Sequence, residues 1–161
     1  MPKIFCAILD DFSTQITRSD IDDTLLVRRL FDEVWNGGNV SLMESVFNPK
    51  VKFSDPAAPS FSGGLPALKK LESDYQTAFP NKKNTIEDIY VAGDNVIVRW
   101  TMRATHSGSW HGIPATNKKI QISGITIYTF SNGKVVDVAQ NWDYLGLLEQ
   151  LGAVSLQKIA A

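Results

Sequence analysis

The chain has 161 residues, of which 43% are hydrophobic, and its 16 basic and 17 acidic side chains leave a formal net charge of −1. Such a chain is expected to fold as one domain whose core needs no disulfide or metal. The balanced charge argues against nucleic acid and anionic membranes as partners, and no apolar run approaches the roughly 18 residues of a membrane span.

Cys6 is the only cysteine, which excludes an internal disulfide framework and a Cys-based metal cluster and is typical of a reducing compartment. The N-terminal stretch MPKIFCAILDDF makes a poor signal peptide, because a single Lys precedes its short apolar part and acidic residues follow directly. We therefore expect a cytoplasmic protein with an N-terminal extension over residues 1–18, one domain over 19–152 and a C-terminal tail over 153–161.

Helical periodicity opens the domain. Ser19 followed by Asp22 resembles a capping box, and the glycines at 37 and 38 are typical helix terminators. Between them, apolar residues recur at i, i+3, i+4 and i+7: Val27, Leu30, Phe31 and Val34. The pattern predicts a long amphipathic helix, followed by a short helix from Asn39 that ends at Asn48-Pro49.

A strand, a loop and a third helix are predicted next. Residues 51–54 have the pattern of a strand, and the segment 55–64 is rich enough in Pro, Gly and Ser to form a loop. Pro66 can open the third helix, and Pro80-Asn81 would end it. Its apolar positions keep helical spacing: Leu68, Leu71, Tyr75 and Phe79.

Strand patterns fill most of the remaining chain. They cover residues 84–91, 96–106, 118–130 and 135–143, with Asn132-Gly133 as a hairpin turn, and leucines from 145 to 148 favour a short closing helix. Helices first and antiparallel strands afterwards predict an α+β fold, in which a curved antiparallel sheet wraps over the long helix.

The strand over residues 96–106 alternates between an apolar and a polar face. Its apolar face carries Val96, Val98, Trp100, Met102 and Ala104. His106 takes the next inward position, just before a loop with glycines and a proline, so the pattern predicts an imidazole at the mouth of a pocket. The alternative is a core or rim histidine that a backbone carbonyl satisfies.

Three further polar side chains are predicted to point inward. Thr126 and Tyr128 share the aromatic face of the strand over residues 118–130, and Gln140 shares a face with Val138 and Trp142. Each has a simpler alternative, since Tyr128 fits a core aromatic residue with a solvated hydroxyl and Thr126 fits an ordinary strand position.

Five motifs occur in a recognisable order: VWNGGN at 34–39, VKFSDP at 51–56, THSGSWHGIPAT at 105–116, FSNGKVVD at 130–137 and WDYLGLLEQLG at 142–152. With this order the chain resembles the SnoaL-like polyketide cyclases, within the cone-shaped α+β folds that include ketosteroid isomerase, scytalone dehydratase and nuclear transport factor two. The resemblance implies a deep apolar pocket and an intramolecular aldol ring closure by an acid/base side chain, without a metal or organic cofactor.

The sequence departs from the family pattern at two positions. The family's histidine matches His106, but its strand aspartate falls at or beside Thr126, whose hydroxyl cannot act as a general base near neutral pH. The family's tryptophan after the hairpin corresponds to Ala139. These changes favour a different chemistry or none.

The remaining candidates define a predicted site. His106 and Asp55 are the predicted catalytic residues, with the carboxylate orienting the imidazole, although Asp55-Pro56 also fits a turn that bonds its own backbone. His111 follows Trp110 in a loop that could cover a ligand, and the two histidines do not have metal-ligand spacing. The predicted ligand contacts are Trp100, Met102, Thr126, Tyr128, Gln140, Trp110 and Tyr75.

Three functions remain open from the sequence. The first is a cofactor-independent cyclase, isomerase, dehydratase or hydrolase that acts on a hydrophobic oxygenated small molecule, with Tyr128 or Gln140 donating to developing oxyanion charge. The second is a binding protein that holds such a ligand without turnover. The third is an interaction scaffold, but the mixed outer sheet face with Ile97, Ile125 and Ile127 suits a homodimer better than a foreign partner.

Overall fold

The computed structural model describes residues 18–155. Nearly all of the expected N-terminal extension, including Cys6, and most of the expected C-terminal tail lie outside the described residues. The first helix, α1, spans Arg18–Arg29 and continues as a π-helical segment over Leu30–Trp35. Ser19 therefore lies within the helix rather than ahead of it, so the predicted capping box is not its start.

The other elements follow the predicted order with shifted ends. A 3-10 turn over Val40–Leu42 leads into the short α2 over Met43–Val46 and strand β1 over Phe47–Ser54. Helix α3 spans Gly64–Ala78. The later strands are β2 (Lys83–Ala92), β3 (Asn95–Thr105), β4 (Lys119–Ser131) and β5 (Lys134–Trp142), and α4 (Tyr144–Leu151) closes the fold.

The strands form one curved, open sheet in the order β1-β5-β4-β3-β2. The pairs β2/β3, β3/β4 and β4/β5 are antiparallel, as predicted, whereas β1 pairs with β5 in parallel. β1 also begins before the predicted residue 51 and contains Pro49. An edge strand tolerates proline because its outer N–H groups need no ladder partner.

The predicted strand register is confirmed. Val27, Leu30, Phe31 and Val34 of the first helix are buried, and so are Trp100, Met102 and Tyr128 of the sheet. Arg99 and Arg103 are exposed on the other face, where Arg99 pairs with Asp88 at 2.5 Å and Arg103 bonds Gln121 at 2.8 Å. A shift of one residue would have exchanged the two faces, so the concave side is the one that the alternation predicts.

The end of the first helix is tied to the sheet. Gly38, with φ +71°, donates its N–H to the Val34 carbonyl at 2.8 Å and ends the helix. The Asn36 side chain bonds both backbone groups of Asn84, accepting at 2.7 Å and donating at 3.0 Å. These bonds hold Trp35 over the concave face. Within residues 18–155, no helix has the length and apolar character needed to cross a bilayer.

Candidate functional site

A cavity lies between the concave face of the sheet, the π-helical segment and α3. The volume open to the centres of water molecules is about 110 Å³. A cavity holds one water when this volume is about 10–15 Å³. Its aromatic lining residues are Phe31, Trp35, Phe47, Phe53, Tyr75, Trp100, Tyr128 and Trp142. The polar ones are Glu72, Lys82, Asn84, Thr126 and Gln140. An aromatic chamber with few polar groups suits a flat organic ligand.

Strand pairing assembles one polar wall of the cavity. Thr126 of β4 lies opposite Gln140 of β5, and Gly124 lies between Trp100 and Trp142. The Trp100 indole N–H donates to Thr126 Oγ1 at 2.8 Å, and Thr126 Oγ1 lies 3.3 Å from Gln140 Oε1. The register thus places a continuous hydrogen-bonded row on the concave face.

Asp55 anchors the far end of this row. It is buried directly after β1, and its carboxylate accepts the Ala57 backbone N–H at 2.6 Å and the Trp142 indole N–H at 3.2 Å. The Gln140 side-chain amide also donates to it. A carboxylate has no proton to give, so Gln140 must present Nε2 to Asp55 and Oε1 to the Thr126 hydroxyl. We call Trp100, Thr126, Gln140, Asp55 and Trp142 the Asp55 row.

A buried ion pair forms the opposite polar wall. The Lys82 ammonium lies 2.7 Å from Glu72 Oε1 and 2.8 Å from Gln76 Oε1, and it also donates to the Trp35 carbonyl. Both charged side chains are less than 10% exposed, at 3% for Lys82 and 8% for Glu72. The three ammonium protons of Lys82 therefore all have acceptors.

Glu72 is a buried carboxyl group that lines the cavity. Burial raises its pKa from 4.5 to about 7, because desolvation penalises the charged form more than the nearby Lys82 ammonium stabilises it. Its second oxygen, Oε2, accepts no hydrogen bond from the described residues and stays accessible from the cavity. Glu72 can thus exchange a proton with a ligand near neutral pH.

Two tyrosine hydroxyls remain protonated beside it. Burial raises the pKa of Tyr75 and of Tyr128 above their usual range, and for Tyr75 the Asp55 charge adds to the effect. Tyr128 Oη accepts the Trp35 indole N–H at 3.3 Å, which leaves its own proton free to donate. These groups serve as neutral hydrogen-bond donors.

Most of the predicted ligand contacts line the cavity: Trp100, Met102, Thr126, Tyr128, Gln140 and Tyr75. Trp110 does not. It is buried in an aromatic cluster with Tyr75 at 5.9 Å, Phe79 at 6.0 Å and Tyr144 at 5.9 Å between ring centroids. It touches the lining residue Tyr75 but does not itself line the cavity, and its backbone closes a tight turn with Ile113 through His111-Gly112.

The expectation that His106 lies at the pocket mouth is wrong. His106 is fully buried, does not line the cavity, and packs at a tilt against Phe79 with 5.2 Å between ring centroids. The following backbone explains this, since the N–H groups of Ser107 and Gly108 bond the Ala78 carbonyl at 3.0 and 3.1 Å. They draw the segment beneath the C-terminal end of α3 and away from the chamber.

The predicted pair of His106 and Asp55 does not form. His106 Nδ1 accepts the Thr116 backbone N–H at 3.3 Å and lies 3.1 Å from the Thr116 hydroxyl. This assigns the ring proton to Nε2, which has no hydrogen-bond partner among the described residues. Burial lowers the pKa of His106, so the neutral ring is favoured. Asp55 bonds its own turn through the Ala57 N–H, as the alternative for Asp55-Pro56 predicted, and it also accepts hydrogen bonds from Gln140 and Trp142 in the cavity wall.

The Glu72–Lys82 pair and Trp142 were not among the site residues that the sequence predicted. One signal was present, because Glu72 lies four residues after Leu68 and three before Tyr75, on the apolar stripe of α3. A charge on such a stripe is costly unless it is paired or functional. Trp142 shared the predicted face of Gln140, but nothing local marked it as a cavity residue.

The charged residues do not suggest a metal centre. Within the part of the chain that the structure describes, no group of three His, Cys, Asp or Glu side chains is placed to hold an ion. The carboxylates of Asp55 and Glu72 instead bond amide, indole and ammonium donors.

Comparison with known proteins agrees with this architecture. A candidate SnoaL-like polyketide cyclase from Jannaschia sp. CCS1 is 21% identical, with a TM-score of 0.78 over 86% of this chain and 97% of that one. A candidate polyketide cyclase from Acidithiobacillus ferrooxidans is 28% identical, with a TM-score of 0.74 over 83% and 96%. AclR from Streptomyces galilaeus, a candidate hydroxylase, is 22% identical, with a TM-score of 0.74 over 86% and 91%.

No curated protein matches the sequence. Residues 25–151 match the family model for SnoaL-like polyketide cyclase, which covers most of the chain, from within α1 to the end of α4. This protein therefore belongs to the SnoaL-like polyketide cyclase family.

Proposed function

We propose that this protein performs cofactor-independent acid/base chemistry on a hydrophobic, oxygenated small molecule held in the cavity. A cyclase, isomerase, dehydratase or hydrolase would fit, and the step that fits best is proton transfer at a carbon activated by a carbonyl. One observation carries the proposal: the buried Glu72 carboxyl opens into an aromatic cavity and has a pKa raised to about 7.

Glu72 replaces His106 as the proposed acid/base group. Its ionised form would take a proton from the activated carbon onto Oε2, leaving the electron pair on the ligand as an enolate. The resulting carboxylic acid would return that proton to carbon or oxygen. A pKa near 7 keeps both forms populated at neutral pH, which is where a general acid/base works best.

Lys82 is assigned as the charge partner of Glu72. All of its donors are engaged by Glu72, Gln76 and the Trp35 carbonyl, so it has no free N–H to offer a ligand. The aromatic lining supports a flat ligand, and relatives described as candidate polyketide cyclases support an oxygenated one.

The test uses 2-tetralone, a flat hydrophobic ketone with activated hydrogens beside its carbonyl. NMR in D₂O would follow hydrogen exchange above the buffer background. We expect the wild-type rate to rise with pH through about 7, and Glu72→Gln to lower it roughly 10²- to 10⁴-fold.

Asp55→Asn and His106→Asn are the matched variants, because each exchanges another buried titratable side chain for a neutral amide. Both should keep the pH midpoint of the wild type. A wild-type rate at background, or a midpoint that persists in Glu72→Gln, would remove Glu72 from this role.

The second candidate function is binding without turnover. It is favoured by the way polar groups satisfy one another: the Asp55 row is internally hydrogen-bonded, and the Glu72 charge is matched by Lys82. In that case 2-tetralone would bind saturably, no variant would change its exchange, and Glu72→Gln would alter affinity alone.

A further inference from the structure

We infer that Gln140 forms a carbonyl-binding subsite in the cavity and that Asp55 is the positioning residue that turns its amide N–H toward the ligand. The inference rests on the proposed use of the cavity for an oxygenated ligand. It names the group that is recognised, a ketone or aldehyde oxygen, and the donor that recognises it.

The first step is the direction of the Gln140 amide. A glutamine side chain alone can present either its oxygen or its NH₂ to a neighbour, but the Asp55 carboxylate accepts only. Gln140 Nε2 therefore points to Asp55, and Oε1 takes the Thr126 hydroxyl at 3.3 Å. The Thr126 oxygen in turn accepts the Trp100 indole N–H at 2.8 Å. The hydrogen bonds therefore run in one direction, from Trp100 to Thr126, from Thr126 to Gln140 and from Gln140 to Asp55.

The second step is that the Gln140 amide has a second N–H, which remains free within the described residues. An amide nitrogen carries two protons, and Gln140 uses one for Asp55. The other has no acceptor among the described residues, while Gln140 lines the cavity. A donor held beside aromatic walls interacts more strongly with a ligand oxygen than one in water, because the surroundings are less polar.

The third step is the anchoring of Asp55. Asp55 is 4% exposed, and its carboxylate accepts hydrogen bonds from the Ala57 backbone and the Trp142 indole as well as from Gln140. These donors come from the loop after β1 and from two residues of β5, so the carboxylate cannot turn freely. It fixes the amide before a ligand arrives, which lowers the entropy cost of binding.

The experiment measures binding rather than turnover. The probe is 2-tetralone labelled with ¹³C at the carbonyl, and tetralin, which has the same rings without the oxygen, is the control ligand. Isotope-edited infrared spectroscopy of the bound ketone reports hydrogen-bond donation, which lowers the carbonyl stretching frequency relative to an apolar solvent. A purely structural role of Gln140 would not move this band.

Gln140→Met keeps the side-chain length and removes the donor. We expect it to return the carbonyl band to its apolar-solvent position and to weaken 2-tetralone binding about 2- to 12-fold, the effect of one hydrogen bond. Tetralin affinity should stay the same. An unchanged band in Gln140→Met, or a wild-type band already at the apolar-solvent position, would overturn the subsite.

Asp55→Asn tests the positioning role with an isosteric side chain. Asparagine can donate to Gln140 Oε1 and thereby reverse the amide, so the band should move most of the way toward the Gln140→Met position. Thr126→Val removes the other contact of the amide and should leave the band in place. If Asp55→Asn keeps the wild-type band, Asp55 does not orient Gln140.

Tyr75→Phe and Tyr128→Phe test the competing donors of the cavity, and either variant abolishing the band shift would assign the carbonyl to that hydroxyl instead. Failure of this inference is separate from failure of the proposed function. The infrared band does not depend on hydrogen exchange, and Glu72→Gln should remove exchange while keeping the lowered carbonyl frequency.

Discussion

A single lysine sets how far the Glu72 carboxyl is perturbed. Desolvation raises the pKa of Glu72, and the Lys82 ammonium opposes that rise. Lys82→Met should therefore move the midpoint of 2-tetralone exchange above pH 7, with the pH dependence measured by NMR. Lys69→Met is the control, because Lys69 pairs at 2.5 Å with Glu44, whose side chain is 72% exposed. A midpoint that stays or falls in Lys82→Met would contradict this electrostatic account.

The raised pKa of Glu72 also affects stability. The native state binds the Glu72 proton more tightly than the unfolded chain does, so this carboxyl contributes stability that is complete below its usual pKa of 4.5. That contribution is lost as the pH rises through about 7. A group that weakens the fold near neutral pH is typical of a site that serves function rather than stability.

Gly124 decides whether the two indoles of the cavity wall can meet. A Cβ at this position would lie 2.6 Å from Trp100 Cζ2 and from Trp142 Cβ, and 2.8 Å from the Asn141 carbonyl. Gly124→Ala should lower the free energy of unfolding by about 1–3 kcal/mol and weaken tetralin binding, since the indoles must shift. Denaturant unfolding would measure the first effect.

Ser123→Ala is the matched control for this substitution, because Ser123 is the exposed neighbour on the same strand. Its effect should stay within about 0.5 kcal/mol. If Gly124→Ala were as stable as the wild type and bound tetralin equally well, the close approach of the two indoles would not depend on glycine.

At the scale of elements, the segment from His106 to Thr116 is held by α3 and by the histidine itself. His106→Leu removes the acceptor of the Thr116 N–H and should cost about 1–3 kcal/mol in unfolding free energy. His106→Asn retains an acceptor and should cost less. Neither variant should move the pH midpoint of exchange, which is the reverse of what a catalytic histidine would give.

The contribution of His106 to stability should also depend on pH. Because burial lowers the pKa of His106, its contribution to stability is present above the ordinary value of 6.5 and is lost as the pH falls. The difference between the free energies of unfolding at pH 5 and at pH 8 should be smaller in His106→Leu than in the wild type. Equal differences would mean that the pKa of His106 is the same in the folded and unfolded states, so that burial does not lower it.

At the scale of the whole molecule, a homodimer through the outer sheet face remains a prediction. That face exposes Tyr90 at 59%, Ile125 at 48% and Ile127 at 38%, and Ile127 pairs across the ladder with Ile97. Sedimentation at micromolar concentration should show a dimer, and Ile127→Glu should give a monomer because it places a charge in an apolar contact.

Ile21→Glu is the matched control for the dimer prediction. Ile21 is 52% exposed, but it lies on α1 rather than on the sheet, so this variant should remain a dimer. A monomeric wild type would remove the prediction, and a monomeric Ile21→Glu would move the interface to the helix.

The sequence by itself determined the fold class, the long first helix and the concave face. Hydrophobic periods of 3.6 and 2 residues are local properties of the chain, and they show directly which side chains of a helix or strand are buried. Trp100, Met102, Thr126, Tyr128 and Gln140 were placed in this way. The exact strand ends were less predictable, since residues such as Pro49 fit either a helix stop or an edge strand.

Only the tertiary structure decided which polar groups meet. Asp55 is 85 residues from Gln140 and 87 from Trp142, and Glu72 reaches Lys82 across the turn after α3. The alternating pattern correctly predicted that His106 points inward. The point at which the following segment leaves the sheet depends on hydrogen bonds to the Ala78 carbonyl at the end of α3. A periodic pattern tells which face a side chain takes. The extent of the cavity along that face depends on how a helix packs over the sheet, and this packing rests on contacts between residues that are distant in the sequence.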